Sequence, residues 1–137
     1  MESRHYLKGV SSMNFKQWEE ATTLPVPIKV TEELVHAYYE AASIPNNASQ
    51  HVPPALPMIF YQYINVPWFQ EQSFIHKDQV FHYEHPISIG DTLQCTVSLI
   101  SVEKRRQFLV LHQELIGRNE HKNIIFLAKS TLLKEAE

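Results

Sequence analysis

The sequence is poor in cysteine and in long apolar runs. Its single cysteine, Cys95, has no second cysteine with which to form an internal disulfide. No signal of basic, apolar and small residues opens the chain. Both absences predict a cytoplasmic protein. The richest apolar stretch, residues 55–64, falls well short of the roughly 18 residues that a membrane-spanning helix needs, so membrane insertion is not expected.

The sequence also lacks an excess of basic residues. Its 12 Lys and Arg against 15 Asp and Glu give a net charge of −3. The one basic cluster, residues 104–106, provides no basic face for a phosphate backbone, so nucleic acid is not expected as a partner. With 44% apolar and 20% charged residues, the composition is that of a globular protein. The length of 137 residues suits one domain with a substantial core.

The first part of the chain is predicted to be a partly ordered arm, residues 1–24, followed by a single domain over residues 25–137. One short helix around residues 15–21 is possible within the arm. Residues 24–30 alternate prolines with apolar residues and predict an edge strand, because proline cannot donate to an inner ladder. A helix is expected from Thr31, whose side chain can cap it, to about Ser43.

A second helix is predicted over residues 55–64. The prolines at its start are tolerated in a first helical turn, and its side chains are apolar on nearly every side, which is typical of a helix enclosed by the rest of a fold. Periodicity alone also allows a buried strand here. The length of ten residues and the clustered prolines favour the helix.

Four strands are predicted in the C-terminal half, near residues 74–85, 92–102, 108–116 and 124–133. In the second of them the apolar positions change parity at Ile100, which predicts a β-bulge. We expect the four strands to form an antiparallel meander. A twisted antiparallel sheet wrapped around a buried helix is the hot-dog fold, so the predicted class is α+β with one such domain.

Several segments resemble, in order and spacing, the hot-dog domains of MaoC-like dehydratases, above all their N-terminal-type domain. The start of the enclosed helix reads Val-Pro-Pro-Ala-Leu-Pro over residues 52–57. It is followed by a strand ending in His85-Pro86, a Gly-Asp-Thr-Leu turn at residues 90–93, and a closing strand at residues 128–132. Residues 37–41 of the first helix also match. The resemblance covers most of residues 25–134.

The resemblance implies reversible hydration of an enoyl thioester by an Asp and a His in an Asp-x-Asn-Pro-x-His segment after the first helix. Here the corresponding residues 43–51 contain no carboxylate, and none occurs between Glu40 and Glu71. Members of the N-terminal type often lack the pair and form the non-catalytic half of a double hot dog. The resemblance therefore implies an acyl-binding subunit of an (R)-3-hydroxyacyl thioester dehydratase or enoyl hydratase, without a cofactor and non-catalytic alone.

The ligand that this resemblance implies is an acyl thioester of coenzyme A or of an acyl carrier protein. The implied partner is a second copy of the chain or a catalytic hot-dog subunit. His51 is the candidate catalytic residue, with a loop histidine as the alternative. Asn46 and Asn47 could bind the thioester or a water, or simply form a turn. Tyr61 and Trp68 could line an acyl pocket, or pack in the core.

Arg105, in the basic cluster, is the candidate for binding the phosphates of coenzyme A, with a solvated hairpin tip as the alternative. Four histidines invite a metal interpretation, but residues 82 and 85 should face opposite sides of a strand, and no metal site is predicted. The four are His76, His82, His85 and His112.

Two other functions stay open. A hot-dog acyl-CoA thioesterase commonly uses a carboxylate on or near the central helix to activate water. Glu71 is the nearest carboxylate downstream of that helix. A non-enzymatic assembly module is the third possibility, and it requires no thioester ligand.

Overall fold

The structure, a computed structural model, describes residues 15–42, 52–69 and 74–135. It contains one five-stranded antiparallel sheet, one α-helix and one 3₁₀ helix. The elements in chain order are β1 (Val26–Lys29), α1 (Glu32–Ala42), the 3₁₀ helix that we call the central helix (Leu56–Tyr63), β2 (Ile75–Tyr83), β3 (Thr92–Arg105), β4 (Phe108–Arg118) and β5 (Ile124–Glu135). The predicted α+β class is confirmed. Within these ranges no helix is long and apolar enough to cross a membrane.

The strand order is β1-β3-β4-β5-β2, which corrects the predicted four-strand meander. Strands β3, β4 and β5 do follow one another in the sheet, but β2 pairs with β5 at the far edge instead of with β3. The turn at Gly90-Asp91 does not close a hairpin. Its backbone bonds to Val30, through Gly90 N to Val30 O at 2.7 Å and Val30 N to Asp91 O at 2.8 Å. The turn at Gly90-Asp91 was predicted correctly. The strand that precedes this turn, β2, lies at the far edge of the sheet and not beside β3.

The register of β3 bears out the expected bulge. The pairing with β4 shifts between Leu99 and Ser101, so that Ile100 is the extra residue and 43% of it is exposed. A bulge lets the apolar positions change parity while both halves of the strand still face the core. The predicted edge strand is confirmed as well, since β1 pairs only with β3 and lies at one edge of the sheet.

The central helix packs its buried side chains against the concave face of the sheet. Leu56, Pro57, Ile59 and Phe60 are buried, and the Phe60 ring lies 5.9 Å from that of Phe126 on β5. The predicted helix over residues 55–64 is present, but the rest of the described fold does not enclose it fully. The helix is of the 3₁₀ type, with Met58 N bonded to Ala55 O at 3.0 Å. Tyr63, at its end, is 52% exposed.

The described part of the predicted arm packs on the sheet. Phe15 is buried, and its ring lies 5.9 Å from that of Phe74. The backbone bonds to β3 through Thr23 N to Val97 O at 2.9 Å and Leu99 N to Ala21 O at 3.0 Å. The boundary between arm and domain at residue 24 stays a prediction, and residues 1–14 lie outside the described ranges.

The start of α1 is capped as predicted. Leu34 N donates to Thr31 Oγ1 at 3.0 Å, which satisfies one of the free amides of the first turn. Leu34 and Val35 are buried, and Glu32 and Glu33 lie in the first turn. The predicted end of this helix near Ser43 lies outside the described residues.

We expect Gly117→Ala to destabilise the fold by about 1–3 kcal/mol, because overpacking forces buried groups to shift. A Cβ at residue 117 would lie 2.2 Å from Phe126 Cε2. Urea unfolding measures the loss. In a Phe126→Leu background the same substitution should cost less, since the ring that it meets is gone. An equal cost in both backgrounds would contradict this packing.

Candidate ligand-binding site

A cleft lies at the start of the central helix. It has a volume of about 370 Å³. One wall is residues 52–54, and the other is the end of β2 with the residues that follow it, 83–87. Most of the lining side chains are apolar, so the cleft suits a hydrocarbon chain better than a charged group.

Tyr83 connects the two walls of this cleft. Its hydroxyl donates a hydrogen bond to the carbonyl of Pro54, and its ring lies 6.2 Å from that of Phe126. Burial raises the pKa of Tyr83 to about 12, and the nearby Tyr38 on α1 adds to the rise. The phenol therefore stays neutral at physiological pH. It acts as a hydrogen-bonding group in the wall and cannot serve as a base there.

The charged residues of this cleft lie at its rim. Glu84 and His85 belong to the second wall. The Glu84 carboxylate is held at 2.8 Å from His82 Nε2, on the exposed side of the strand. The predicted site residues Asn46, Asn47 and His51 lie outside the described ranges, so their roles stay predictions. Their segment joins the cleft wall directly, because Val52 is the next residue in the chain.

A second group of polar residues lies on the inner face of the sheet, where Gln113 and Ser130 are buried and Gln79 is half-buried. Gln79, Ser130 and Gln113 are cross-strand neighbours in one row of the inner face. Ser130 Oγ donates to Gln79 Oε1 at 3.0 Å. The indole Nε1 of Trp68 donates to Gln113 Oε1 at 2.9 Å. We call these residues, with Tyr61, the polar row.

Tyr61 completes the polar row from the central helix. Burial raises the pKa of Tyr61 to about 12, although the neighbouring Ser130 and Gln113 act to lower it. Neither the Tyr61 hydroxyl nor Gln113 Nε2 has a hydrogen-bond partner within the described part of the chain. An unpaired buried donor costs about 1–3 kcal/mol, whereas Ser130 and Gln113 lie close enough to the Tyr61 hydroxyl to lower its pKa.

The structure buries one of the two predicted pocket aromatics and leaves the other half-buried. Trp68 is 3% exposed and packs in the core, with its ring 6.2 Å from that of Trp18. Tyr61 is half-buried, and its ring lies 6.0 Å from that of Phe69. That either residue binds an acyl group stays a prediction.

Sequence analysis did not identify Gln113 or Ser130, although a signal for Gln113 was present. On β4, residues 109, 111 and 115 are buried leucines, and Gln113 is the polar residue at the same parity. A polar side chain on the apolar side of a strand needs a partner. Which partner it has depends on the register, and this could not be predicted.

Arg105 lies at the turn between β3 and β4, at the opposite end of the sheet from Tyr83. Its Nη2 is paired with Glu103 Oε1 at 2.6 Å. Its proposed contact with a phosphate stays a prediction. Across residues 15–42, 52–69 and 74–135, no three His, Cys, Asp or Glu side chains are grouped as metal ligands. Cys95 is fully buried, and burial raises the pKa of its thiol to about 12, which makes it a core residue instead of a nucleophile.

Comparisons with known proteins identify the fold. A chain of the C-terminally truncated HadBC (3R-hydroxyacyl-ACP dehydratase) complex from Mycobacterium tuberculosis matches with a TM-score of 0.70 and 16% identity, over 85% of this chain and 97% of that one. A MaoC-like dehydratase matches with a TM-score of 0.71 and 15% identity, over 88% of this chain and 43% of that one. A hot-dog-like protein from Thermanaerovibrio acidaminovorans matches with a TM-score of 0.60 and 13% identity, over 90% and 89%.

These likenesses show that the chain has the hot-dog fold. Within that class, the fold is the one seen in MaoC-like dehydratases, and the predicted resemblance is confirmed at this level. No protein-family model matches the sequence, and no curated protein sequence matches it. The chain spans less than half of the MaoC-like dehydratase that it matches, but nearly all of the HadBC chain.

We expect the free energy of unfolding to fall as the pH rises from about 10 towards about 12. The pKa values of Tyr61 and Tyr83 are raised in the fold. The folded state therefore keeps protons that the unfolded chain releases above pH ~10, and the stabilisation present below that pH is lost. Urea unfolding at several alkaline pH values measures the slope.

Tyr61→Phe should make this slope shallower, by at most about 1.4 kcal/mol per pH unit. Tyr63→Phe is the matched control, because the Tyr63 side chain is 52% exposed. An unchanged slope in Tyr61→Phe would show that this hydroxyl ionises as readily in the folded protein as in the unfolded chain.

Proposed function

We propose that this chain is the acyl-binding hot-dog subunit of a MaoC-like (R)-3-hydroxyacyl thioester dehydratase and has no hydratase activity alone. The observation that carries the proposal is the apolar cleft at the start of the central helix, beside a segment without a carboxylate. Hydration of an enoyl thioester needs an oriented acid and base. The cleft wall contributes a phenol that stays neutral, and residues 43–51 contribute one titratable side chain, His51.

In this proposal the acyl group lies along the apolar walls of the cleft. Asn46 and Asn47 bind the thioester carbonyl or a water. Trp68 and Tyr61 border the deeper end of the acyl group. The carrier is coenzyme A or an acyl carrier protein. Arg105, the contact for its phosphate that the sequence predicts, lies at the opposite end of the sheet from this cleft. The hydration chemistry then belongs to a partner subunit.

The free edge of β2 supports a role for a partner. Strand β1, at the other edge, begins next to Pro25 and contains Pro27, which limits further pairing. Strand β2 contains no proline, and Ile75 and Val80 on it are 61% and 57% exposed. An edge strand without proline can pair with a strand of another chain. We propose that the partner, a second copy or a catalytic hot-dog subunit, pairs here.

The comparisons support the same assignment. The HadBC structure is a complex, and its matching chain has nearly the length of this one. The MaoC-like dehydratase is more than twice as long as the matched part, as expected for a chain in which one hot-dog domain is followed or preceded by further structure. The proposal requires this chain's hot-dog domain to lie beside a second hot-dog domain, that of the partner subunit.

We expect the purified chain to bind a non-hydrolysable acyl-coenzyme A thioether and to show negligible hydration of enoyl-coenzyme A. Val52→Glu should weaken binding at least tenfold, because a carboxylate in an apolar wall must be desolvated. Leu24→Glu is the matched control, since Leu24 is 83% exposed and outside the cleft. Calorimetry measures binding, and loss of the enoyl absorbance measures hydration.

Three outcomes distinguish the alternatives. Robust hydration that disappears in His51→Ala would contradict the non-catalytic assignment. Release of free thiol from acyl-coenzyme A that disappears in Glu71→Gln would identify a thioesterase. The absence of heat with every acyl thioester would leave an assembly module.

We expect Val80→Glu to weaken subunit association, measured by sedimentation velocity at several protein concentrations. A charge on an edge strand opposes strand pairing without disturbing the fold. Leu24→Glu again serves as the control. Equal association in the two variants would exclude the β2 edge as the interface.

A further inference from the structure

A second cleft, of about 540 Å³, lies on the outer face of the sheet where β4 ends. Cys95 faces the core, so its neighbours Gln94 and Thr96 face the opposite side and line this cleft. Arg118, Asn119, Glu120 and Lys122 line it from the end of β4 and the turn to β5. Nothing in the proposed dehydratase role uses these residues.

The charge in this cleft is mainly unpaired and positive. Within the described ranges, neither the Arg118 guanidinium nor the Lys122 ammonium forms an ion pair or a hydrogen bond. Arg118 is half-buried, and its guanidinium has five donors to satisfy. Glu120 is the one carboxylate of the lining. Its side chain is 85% exposed and lies 3.5 Å from His121.

The turn that contributes Lys122 is held rigidly by Asn119. The Asn119 side-chain oxygen accepts hydrogen bonds from His121 N at 2.9 Å and Asn123 N at 3.0 Å. The backbone closes through Lys122 N to Asn119 O at 2.9 Å. Lys122 itself has a φ of 68°, a conformation that a non-glycine residue adopts only when its surroundings impose it. The backbone that carries Lys122 is therefore fixed by these bonds.

We propose that this cleft binds a phosphate group, that of the carrier of the acyl thioester. A guanidinium, an ammonium, an amide and a hydroxyl in one cleft match the acceptor oxygens of a phosphate ester. The identification of the carrier rests on the proposed function, whereas phosphate binding does not. Coenzyme A and a phosphopantetheine-bearing carrier protein both supply such a phosphate.

The position of the cleft favours this ligand over one bound near Arg105. Tyr83, Phe126 and Gly117 form one row of the sheet, and Arg118 follows Gly117 directly. The phosphate cleft and the acyl cleft thus lie at the same end of the sheet. Arg105 lies at the other end and is already paired with Glu103.

The test is a calorimetric titration of the full chain at low salt with unacylated coenzyme A. Arg118→Gln and Lys122→Gln should each weaken binding about tenfold, as removal of one charge-assisted phosphate contact does. Arg106→Gln is the matched control, because Arg106 is an exposed arginine outside the cleft. Thermal unfolding verifies that each variant folds. If Arg118→Gln does not fold, Arg118→Lys replaces it and should retain part of the affinity.

Further arms identify the phosphate. If 3′-dephospho-coenzyme A binds more weakly than coenzyme A, and Arg118→Gln does not weaken its binding further, the cleft binds the 3′-phosphate. If a holo carrier protein binds more tightly than its apo form, and this difference disappears in Arg118→Gln, the cleft binds the phosphopantetheine phosphate. Either of two results would overturn the proposal. The first is equal binding of the holo and apo carrier proteins together with no binding of coenzyme A. The second is an Arg118→Gln variant that binds coenzyme A as tightly as Arg106→Gln does. If phosphate binding is intact but acylated coenzyme A binds no more tightly than unacylated coenzyme A, only the dehydratase assignment is contradicted.

Discussion

The close packing of Phe126 on Gly117 is the contact on which the rest of this structure depends. The Phe126 ring is fully buried and lies where a Cβ at residue 117 would be. It also contacts Phe60 of the central helix and Tyr83 of β2. Because the ring lies directly against β4, the central helix can approach the sheet and Tyr83 can reach the carbonyl of Pro54. One glycine therefore lets the central helix lie close to the sheet, next to the cleft that Tyr83 and Pro54 line.

Features that depend on neighbours in sequence could be predicted. The cap at Thr31, the edge strand with its prolines, and the bulge at Ile100 each follow from local rules, and each is present. The position of β2 could not be predicted in this way. A Gly-Asp turn is compatible with a hairpin and with a crossover, and the choice depends on Val30, about 60 residues away, which bonds to the turn.

The same distinction applies to the candidate site. The cleft at the start of the central helix begins at the Val-Pro-Pro segment that carries the resemblance, but none of its lining residues was among the predicted site residues. The polar row could not be predicted, because Gln79, Ser130 and Gln113 come from three strands and become neighbours only through the register. Tyr61 was chosen for its aromatic ring, but its hydroxyl is the feature that the structure makes unusual. Burial without a partner in the described residues gives that atom its importance.

The alternation of a β-strand restricts which ligand could use both clefts. Gly117 faces the core in the same row as Tyr83, which lines the cleft at the start of the central helix, whereas Arg118 faces the outer side. The two clefts therefore lie at one end of the sheet but on opposite faces. A ligand that occupies both must pass around the end of the sheet near the turn between β4 and β5. The proposed ligand has a form that suits such a path, because a pantetheine thioester joins its acyl group to its phosphate by a long flexible arm.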